Sequence, residues 1–232
     1  FEIDASDFEF YKKIDVPAPT WCPECRMIRR LVFRNERKLY RVKDAHSGKE
    51  IFSLYPEEAG LKVYENDYWW SDEWDPTTYG REYDFSKPFF EQFKELLLDV
   101  PWCAKSVLRM VNSDYSNNAG DFKNCYLCFN GDRCEDCMYC LGFADSKNSV
   151  DCLQADHLEL CYELFSCSEN FQTFWSQETD NSHNVWFSKN CENLSDCFGC
   201  VNLRNKQYRI FNEPYSKEAY KKKIEEFQLN TY

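Results

Sequence analysis

From residue 123 the chain repeats itself every twelve residues without insertion. Frames starting at 123, 135, 147, 159, 171, 183 and 195 open KNCYLC, EDCMYC, KNSVDC, ELCYEL, FQTFWS, HNVWFS and SDCFGC. The third position holds Cys125, Cys137, Ser149, Cys161, Thr173, Val185 and Cys197, all small or β-branched. The fourth holds Tyr126, Met138, Val150, Tyr162, Phe174, Trp186 and Phe198, all large or apolar. The sixth, with Cys128, Cys140, Cys152, Leu164, Ser176, Ser188 and Cys200, is mostly small again. Asn, Asp, Ser and Gly crowd the rest, which is turn chemistry. Self-similarity at a fixed period marks a stacked repeat, and a short apolar stretch followed by a polar turn suits a strand better than a helix. The expected fold is mainly β: a parallel β-solenoid, or β-helix, in which like residues stack into ladders along the axis. A twelve-residue coil encloses little more than a file of small side chains. Unless the fourth-position residues point outward, their size favours two frames per coil.

Fourteen cysteines are present, twelve of them between Cys103 and Cys200. Cys behaves as a small, readily buried hydrophobe. The preferred reading of Cys125, Cys128, Cys137, Cys140, Cys152, Cys161, Cys197 and Cys200 is therefore a ladder of free thiols inside the solenoid. Two other readings stand beside it. The run C-x2-C-x5-C-x2-C-x2-C over Cys125, Cys128, Cys134, Cys137 and Cys140 has metal-ligand spacing, although the repeat by itself generates that spacing. Disulfides between coils would imply an oxidising compartment; reduced ladders suit the cytoplasm, which is the expected location.

The flanks divide as 1–50, a small α+β module; 51–102, an aromatic and acidic linker with a capping helix; 103–212, the solenoid; and 213–232, a C-terminal helix. In the first, Ser6 and Glu9 read as a capping box for a helix over residues 7–14. Cys22-Pro23-Glu24-Cys25 is a C-P-x-C knuckle whose tight turn brings two thiolates to one Zn2+. No further Cys occurs before Cys103, and His46 is the lone nearby candidate ligand. Phe1 stands where an initiator Met would, which predicts that the partner pair of ligands precedes residue 1. Between Arg26 and Lys43 the chain carries Arg26, Arg29, Arg30, Arg34, Arg37, Lys38, Arg41 and Lys43 against one acid, Glu36. Arginines beside a zinc knuckle are the usual place for phosphate contacts, so RNA or DNA is the expected partner of 26–43. The alternatives are another protein, or internal pairing with the acidic centre. In residues 51–85, Trp69, Trp70 and Trp74 among acids form a sugar or cation site or, more commonly, clamp the linker onto its neighbour. Ser86 is expected to cap a helix through Leu98 that plugs the first coil, and a helix from Ser216 to about Gln228 to cap the last.

The segments WCPECRMIRRLVFRNERKLY, WWSDEWDPTTYGREYDFSKPFFEQF and DCFGCVNLRNKQYRIFNEPYSKEAYKKK resemble a family of bacterial proteins, frequent in candidate-phylum genomes, that join a zinc-ribbon-like N-terminus to Cys-rich short repeats. The resemblance implies this architecture and carries no activity with it. That family tends to place a Cys before a T-G-K that corresponds to Ser47-Gly48-Lys49, and this chain has none there.

The net charge of −12 argues against a surface that binds polyanions throughout. Both ends are nonetheless net basic, and the acid excess lies in 51–200. G-x-S-x-G, a phosphate-cradling Gly-rich loop and H-E-x-x-H are absent, and His46, His157 and His183 are scattered. No apolar run approaches the roughly 18–20 residues of a membrane span. The expected function is non-catalytic: an acidic solenoid scaffold that presents a basic zinc-knuckle module to a partner. One alternative is a carbohydrate-binding or carbohydrate-active β-helix, with Asp151, Asp156, Glu159 and Glu178 beside Trp175 and Trp186. Another is a metal-cluster redox protein.

Overall fold

In a computed structural model, which describes residues 2–156, 162–167 and 171–229 and the side chains of these except between 154 and 172, parallel strands pair at an offset of twelve. Along one ladder Tyr126 bridges Met138 and Met138 bridges Val150. The same ladder continues as Val150↔Tyr162, Tyr162↔Phe174, Phe174↔Trp186, Trp186↔Phe198 and Phe198↔Ile210. The protein is thus mainly β, with a parallel β-solenoid over residues 107–210 and a few helices. One frame makes one coil. The two-frame coil favoured by the size of the fourth-position residues is corrected, because those residues point outward: Tyr126 is 41% and Met138 42% exposed.

A three-residue period lies beneath the twelve. Asn118, Asp121, Asn124, Leu127, Asn130, Arg133, Asp136 and Tyr139 all have φ between 49° and 57°. The residue after each corner points inward, and Ala119, Phe122, Cys125, Cys128, Cys134, Cys137 and Cys140 are buried. Four such units close a coil. A left-handed corner costs an L-residue about 1–2 kcal/mol, least for Asn and Asp. Lateral bonds offset this cost. The corner amide donates to the preceding coil, as from Asn124 N to Val111 O and Asp136 N to Lys123 O. The outward residue donates to the following coil, as from Lys123 N to Cys134 O and Glu135 N to Ser146 O. Corner side chains add amide ladders, Asn112 to Asn124 to Asp136 and Asn193 to Asn205. Charges alternate between coils as well: Arg109 pairs Asp121, Arg133 pairs Asp145, and Glu135 sits between Lys123 and Lys147.

The chain forms two compact units, Phe1–Asn35 and Glu36–Tyr232. The first unit ends at Asn35, inside the expected 1–50 module. It holds α1 (Ala5–Lys13) and α2 (Pro23–Leu31), and neither helix has a buried residue. Asp4, rather than Ser6, is the N-cap of α1, and no side chain closes that cap. In the second unit β1 (Tyr40–Lys43) and β2 (Glu50–Ser53) form an antiparallel pair, and β3 (Val63–Tyr64) runs parallel to β4 (Trp102–Cys103). Val42, Val63 and Ala104 form a small core there. From the short helix α3 (Asn66–Trp69), Asn66 bonds both main-chain groups of Lys105 and so fixes the entry to the first coil.

The helix expected to plug that entry is α4 (Phe89–Asp99). Its outer rings stay in solvent, with Phe89 53% and Phe90 79% exposed, so the plug is corrected. Ser86 does not cap it either. It bonds Asp84, while Gln92 folds back onto the carbonyls of Asp84, Lys87 and Pro88. At the other end Ser216 Oγ caps α5 (Lys217–Phe227) by accepting from Ala219 N. Tyr220 packs α5 against Phe198 and Ile210, and Phe227 stacks on Phe198 at 4.4 Å. The helix therefore covers the last rungs of the fourth-position ladder, Phe198 and Ile210. The edge of the last coil pairs in part with the antiparallel residues Glu213 and Pro214, and a proline offers no donor for further strand addition.

A twelve-residue coil makes whole-frame insertions neutral. Tandem duplication of residues 123–134 adds one coil and preserves a cooperative thermal transition, whereas duplication of 123–128 alone shifts every later rung by half a coil and abolishes it. Tolerance only of a two-frame duplication would contradict the register.

Candidate functional site

The knuckle lies at a helix N-terminus. Cys22 is the N-cap of α2, Pro23 takes the first position, where its missing N–H is no loss, and Cys22 Sγ accepts from Cys25 N at 3.4 Å. Bonds from the amide and thiol of Cys25 lower the Cys22 thiol below its ordinary range, and the same sulfur contact raises Cys25. Two thiolates at a helix N-terminus suit a soft or borderline cation such as Zn2+. Among the described residues no third Cys, His, Asp or Glu joins a group that could hold a metal. The unit brings two thiols together and no more. His46 does not add to it, being stacked on Tyr68 at 3.7 Å in the second unit.

The basic residues fall on both units. In the first, Arg26 points inward and donates to the Tyr11 hydroxyl at 2.7 Å, so it is an anchor of the two-helix unit. Arg29 lies over the Trp21 ring at 5.3 Å, and both it and Arg30, in the last turn of α2, are exposed. Arg34 is exposed beyond the helix. In the second unit, Glu36 ties its segment to the solenoid through Asn117 and Asn130. Arg37 and Lys38 then line a shallow cleft with Phe129, Tyr139 and Leu141. Arg41 pairs with Glu50 at 3.1 Å. Internal pairing thus accounts for Arg41; among the described residues Arg29, Arg30 and Arg37 have no carboxylate partner.

Cys125, Cys128, Cys137, Cys140, Cys152, Cys197 and Cys200 are buried free thiols, as are Cys134 and Cys191. Cys161 lies outside the described residues. These sulfurs do more than fill space. The buried Ser116 Oγ has no partner, but the typical inward γ atom donates to the carbonyl two residues before it, as from Cys128 to Tyr126, Cys137 to Glu135 and Ser149 to Lys147. It also accepts the inward amide of the next coil. The hydroxyl cases are Cys125 N to Ser113 Oγ, Ser188 N to Ser176 Oγ and Cys200 N to Ser188 Oγ. In the thiol cases the amides of Cys137, Cys140 and Ser149 reach Cys125, Cys128 and Cys137. Burial pushes the Cys134 thiol up to about 12 and raises Cys191. The set is a hydrogen-bonded file, and its ferredoxin-like spacing is a by-product of the repeat.

Of the residues proposed for a carbohydrate groove, Glu159 and the side chain of Asp156 lie outside the described residues, as does His157. Trp186 stacks on Phe174 at 4.1 Å and Trp175 on Phe187 at 6.3 Å. One face of each ring is thus turned to its ladder neighbour. In the linker, Trp69 Nε1 bonds Pro101 O and Trp74 Nε1 bonds Trp69 O, which is a clamp. Trp70, 69% exposed, is left over. The sequence singles out Trp69, Trp70 and Trp74 but not Lys105, which lines one cleft with Trp69 and Trp70.

Comparison with family models, with curated proteins and with solved structures gives no match to the chain.

The thiols fall into two kinetic classes. In native protein a soluble maleimide labels Cys22 and Cys25 within minutes, and added Zn2+ slows that labelling. Cys128, Cys137 and Cys140 label only on unfolding, as peptide mapping would show. Native labelling of Cys137 at the rate of Cys25 would contradict the interior file.

Proposed function

We propose that this protein is a non-catalytic scaffold in which a stiff acidic solenoid presents a basic, zinc-holding N-terminal module to a nucleic acid, in a compartment that keeps thiols reduced. The observation that carries this reading is how differently the cations are used. On the solenoid, Arg109, Lys123, Arg133 and Lys147 are committed to carboxylates on neighbouring coils. In the basic segment, Arg29, Arg30 and Arg37 are exposed and pair with no carboxylate among the described residues. Uncommitted guanidinium groups exchange bound counterions for phosphates, which is the main source of affinity for a polyanion. Arg29 over Trp21 adds a flat, cationic platform of the kind on which an unpaired base stacks, so single-stranded RNA or DNA is preferred to duplex.

Zn2+ belongs to the same reading. The first unit has two short helices and no buried residue in either, while Met27, Ile28, Leu31, Val32 and Phe33 are exposed. Units this small are usually held by a metal, a disulfide or a partner. Cys22 and Cys25 supply two thiolates, and two further ligands complete the site from outside the group they form. The metal's part is structural, fixing the entry of α2 and hence the arginines on it. The resemblance to zinc-ribbon-like proteins with Cys-rich repeats supports this assignment.

The test is fluorescence anisotropy with a labelled single-stranded RNA 20-mer across a salt series. Wild-type affinity falls steeply with salt. Reversing Arg29, Arg30, Arg34 and Arg37 to Glu lowers the low-salt affinity at least ~100-fold, and flattens the log–log salt slope by roughly 0.7 for each phosphate no longer neutralised. An unchanged affinity and slope would remove the nucleic-acid part of the proposal.

A further inference from the structure

Three successive coils each place one tyrosine on the same flank of the solenoid. The row starts at Phe52 on β2, whose ring meets Tyr115 at 4.8 Å. Tyr115 meets Tyr126 at 5.2 Å, and Tyr126 meets Tyr139 at 5.8 Å. The tyrosines alternate between the fifth and fourth frame positions, and Tyr139 stands at a left-handed corner with φ 57°. All three are exposed. Their planes meet at 60° and 86°, in contrast to Trp186, which lies within 22° of parallel on Phe174. Tilted and edge contacts do not close ring face on ring face, so aromatic face remains in solvent along the row. Contiguous exposed rings of this kind mark a contact surface.

The charge at the Tyr139 end of the row is positive and uncommitted. Arg37 and Lys38 line a cleft of about 420 Å3 there with Tyr139, Leu127, Phe129 and Leu141, and no carboxylate among the described residues joins that lining. Lys38 lies over the Tyr40 ring at 4.9 Å, while Arg37 is exposed and pairs with no described carboxylate. Acids bound the row. Asp114 immediately precedes Tyr115, and Asp151 takes the left-handed corner one coil beyond Tyr139. A phosphate is therefore favoured beside Arg37 and disfavoured past either end.

Aromatic rings beside a free guanidinium are the elements that hold single strands, with bases on the rings and phosphates on the cations. The centroid separations of 5.2 and 5.8 Å exceed the ~3.4 Å rise of a duplex, so the row suits bases already parted from one another.

We propose that this row is a base-stacking track for single-stranded nucleic acid, with one unstacked base on each of Tyr115, Tyr126 and Tyr139 and a phosphate on Arg37. The track rests on the nucleic-acid reading above, and adds to it the place on the solenoid where the bases lie.

Two measurements on the full chain keep the fate of the track separate from that reading. In the first, a single-stranded RNA 20-mer carrying 5-iodouracil at alternate positions is irradiated with the wild-type protein and the crosslinked peptides are mapped. The expected crosslinks fall on Tyr126 and Tyr139. In the second, anisotropy with the same 20-mer compares variants. Tyr126→Ala with Tyr139→Ala lowers the affinity at least ~10-fold and leaves the log–log salt slope as in wild type, because no cation is lost. Tyr139→Phe, which keeps the ring, binds as wild type does, and a duplex of the same sequence is indifferent to all of these changes. Circular dichroism and thermal midpoints control for the fold, and the crosslinks need no variant. Wild-type binding with crosslinks confined to the first unit, an affinity unmoved by the double alanine change, or an equal loss for the duplex would overturn the track and leave the nucleic-acid reading standing. No binding by wild type at low salt would overturn both.

Discussion

In a coil this narrow, the amide of every inward residue points along the axis into a space that water does not reach. A buried amide without an acceptor costs about 1–3 kcal/mol, and each coil has several. The protein meets the demand with the γ atom of the inward side chain one coil earlier, as Ser188 does for Cys200 and Ser176 for Ser188. The same atom gives its own proton to the carbonyl two residues back, as from Ser188 to Trp186. Only Cys, Ser and Thr combine a polar γ atom with a volume that fits the file, and they dominate the interior. Where a larger group enters, a neighbour gives way. Phe122 is wholly buried because the next coil has Gly131 beside it, where a Cβ would stand 2.7 Å from the ring.

The outer surface follows from the same geometry. Corners every third residue require positive φ, which favours Asn and Asp, and stacked corners then bond side chain to side chain. Lysines and arginines on the intervening coils are matched to acids, so the acidic solenoid is self-neutralising along each ladder where its basic residues fall. A slip of one coil would place Arg109 against Arg133, and the charge ladders thereby resist misregistration. Arg29, Arg30 and Arg37, by contrast, are exposed and pair with no carboxylate among the described residues.

The twelve-residue period and its small third and sixth positions are legible in the sequence because each frame repeats them without a gap. The three-residue period is not, because corners at Leu127, Tyr139 and Phe187 carry no residue type that marks positive φ. The direction of the fourth-position ring is hidden for a related reason: size reads as a sign of burial, whereas Trp186 and Phe198 gain their contacts by stacking with ladder neighbours and with α5. Ser6 and Ser86 sit at plausible capping positions, yet Asp4 precedes one helix and the Asp84 turn claims the other. The C-P-x-C pair is legible by itself, and Pro23 in the first turn is the residue that marks it as a helix N-terminus. Trp69 and Trp70 are legible as a candidate site, whereas the rest of their cleft is not, since residues from Leu54 to Gly131 build it.

The interior γ atoms hold the coils together by accepting amides, and are not simply small groups that happen to be buried. Ser188 decides this most directly, because it has both bonds. Unfolding free energies of wild type, Ser188→Ala and Ser188→Cys would be compared in denaturant, with amide exchange read at Cys200. The prediction is that Ala costs about 1–3 kcal/mol and speeds exchange at the Cys200 amide, while Cys keeps most of the stability and the protection. A Ser188→Ala protein as stable as wild type, or more so, with the Cys200 amide still protected, would contradict it and return the interior to hydrophobic packing alone.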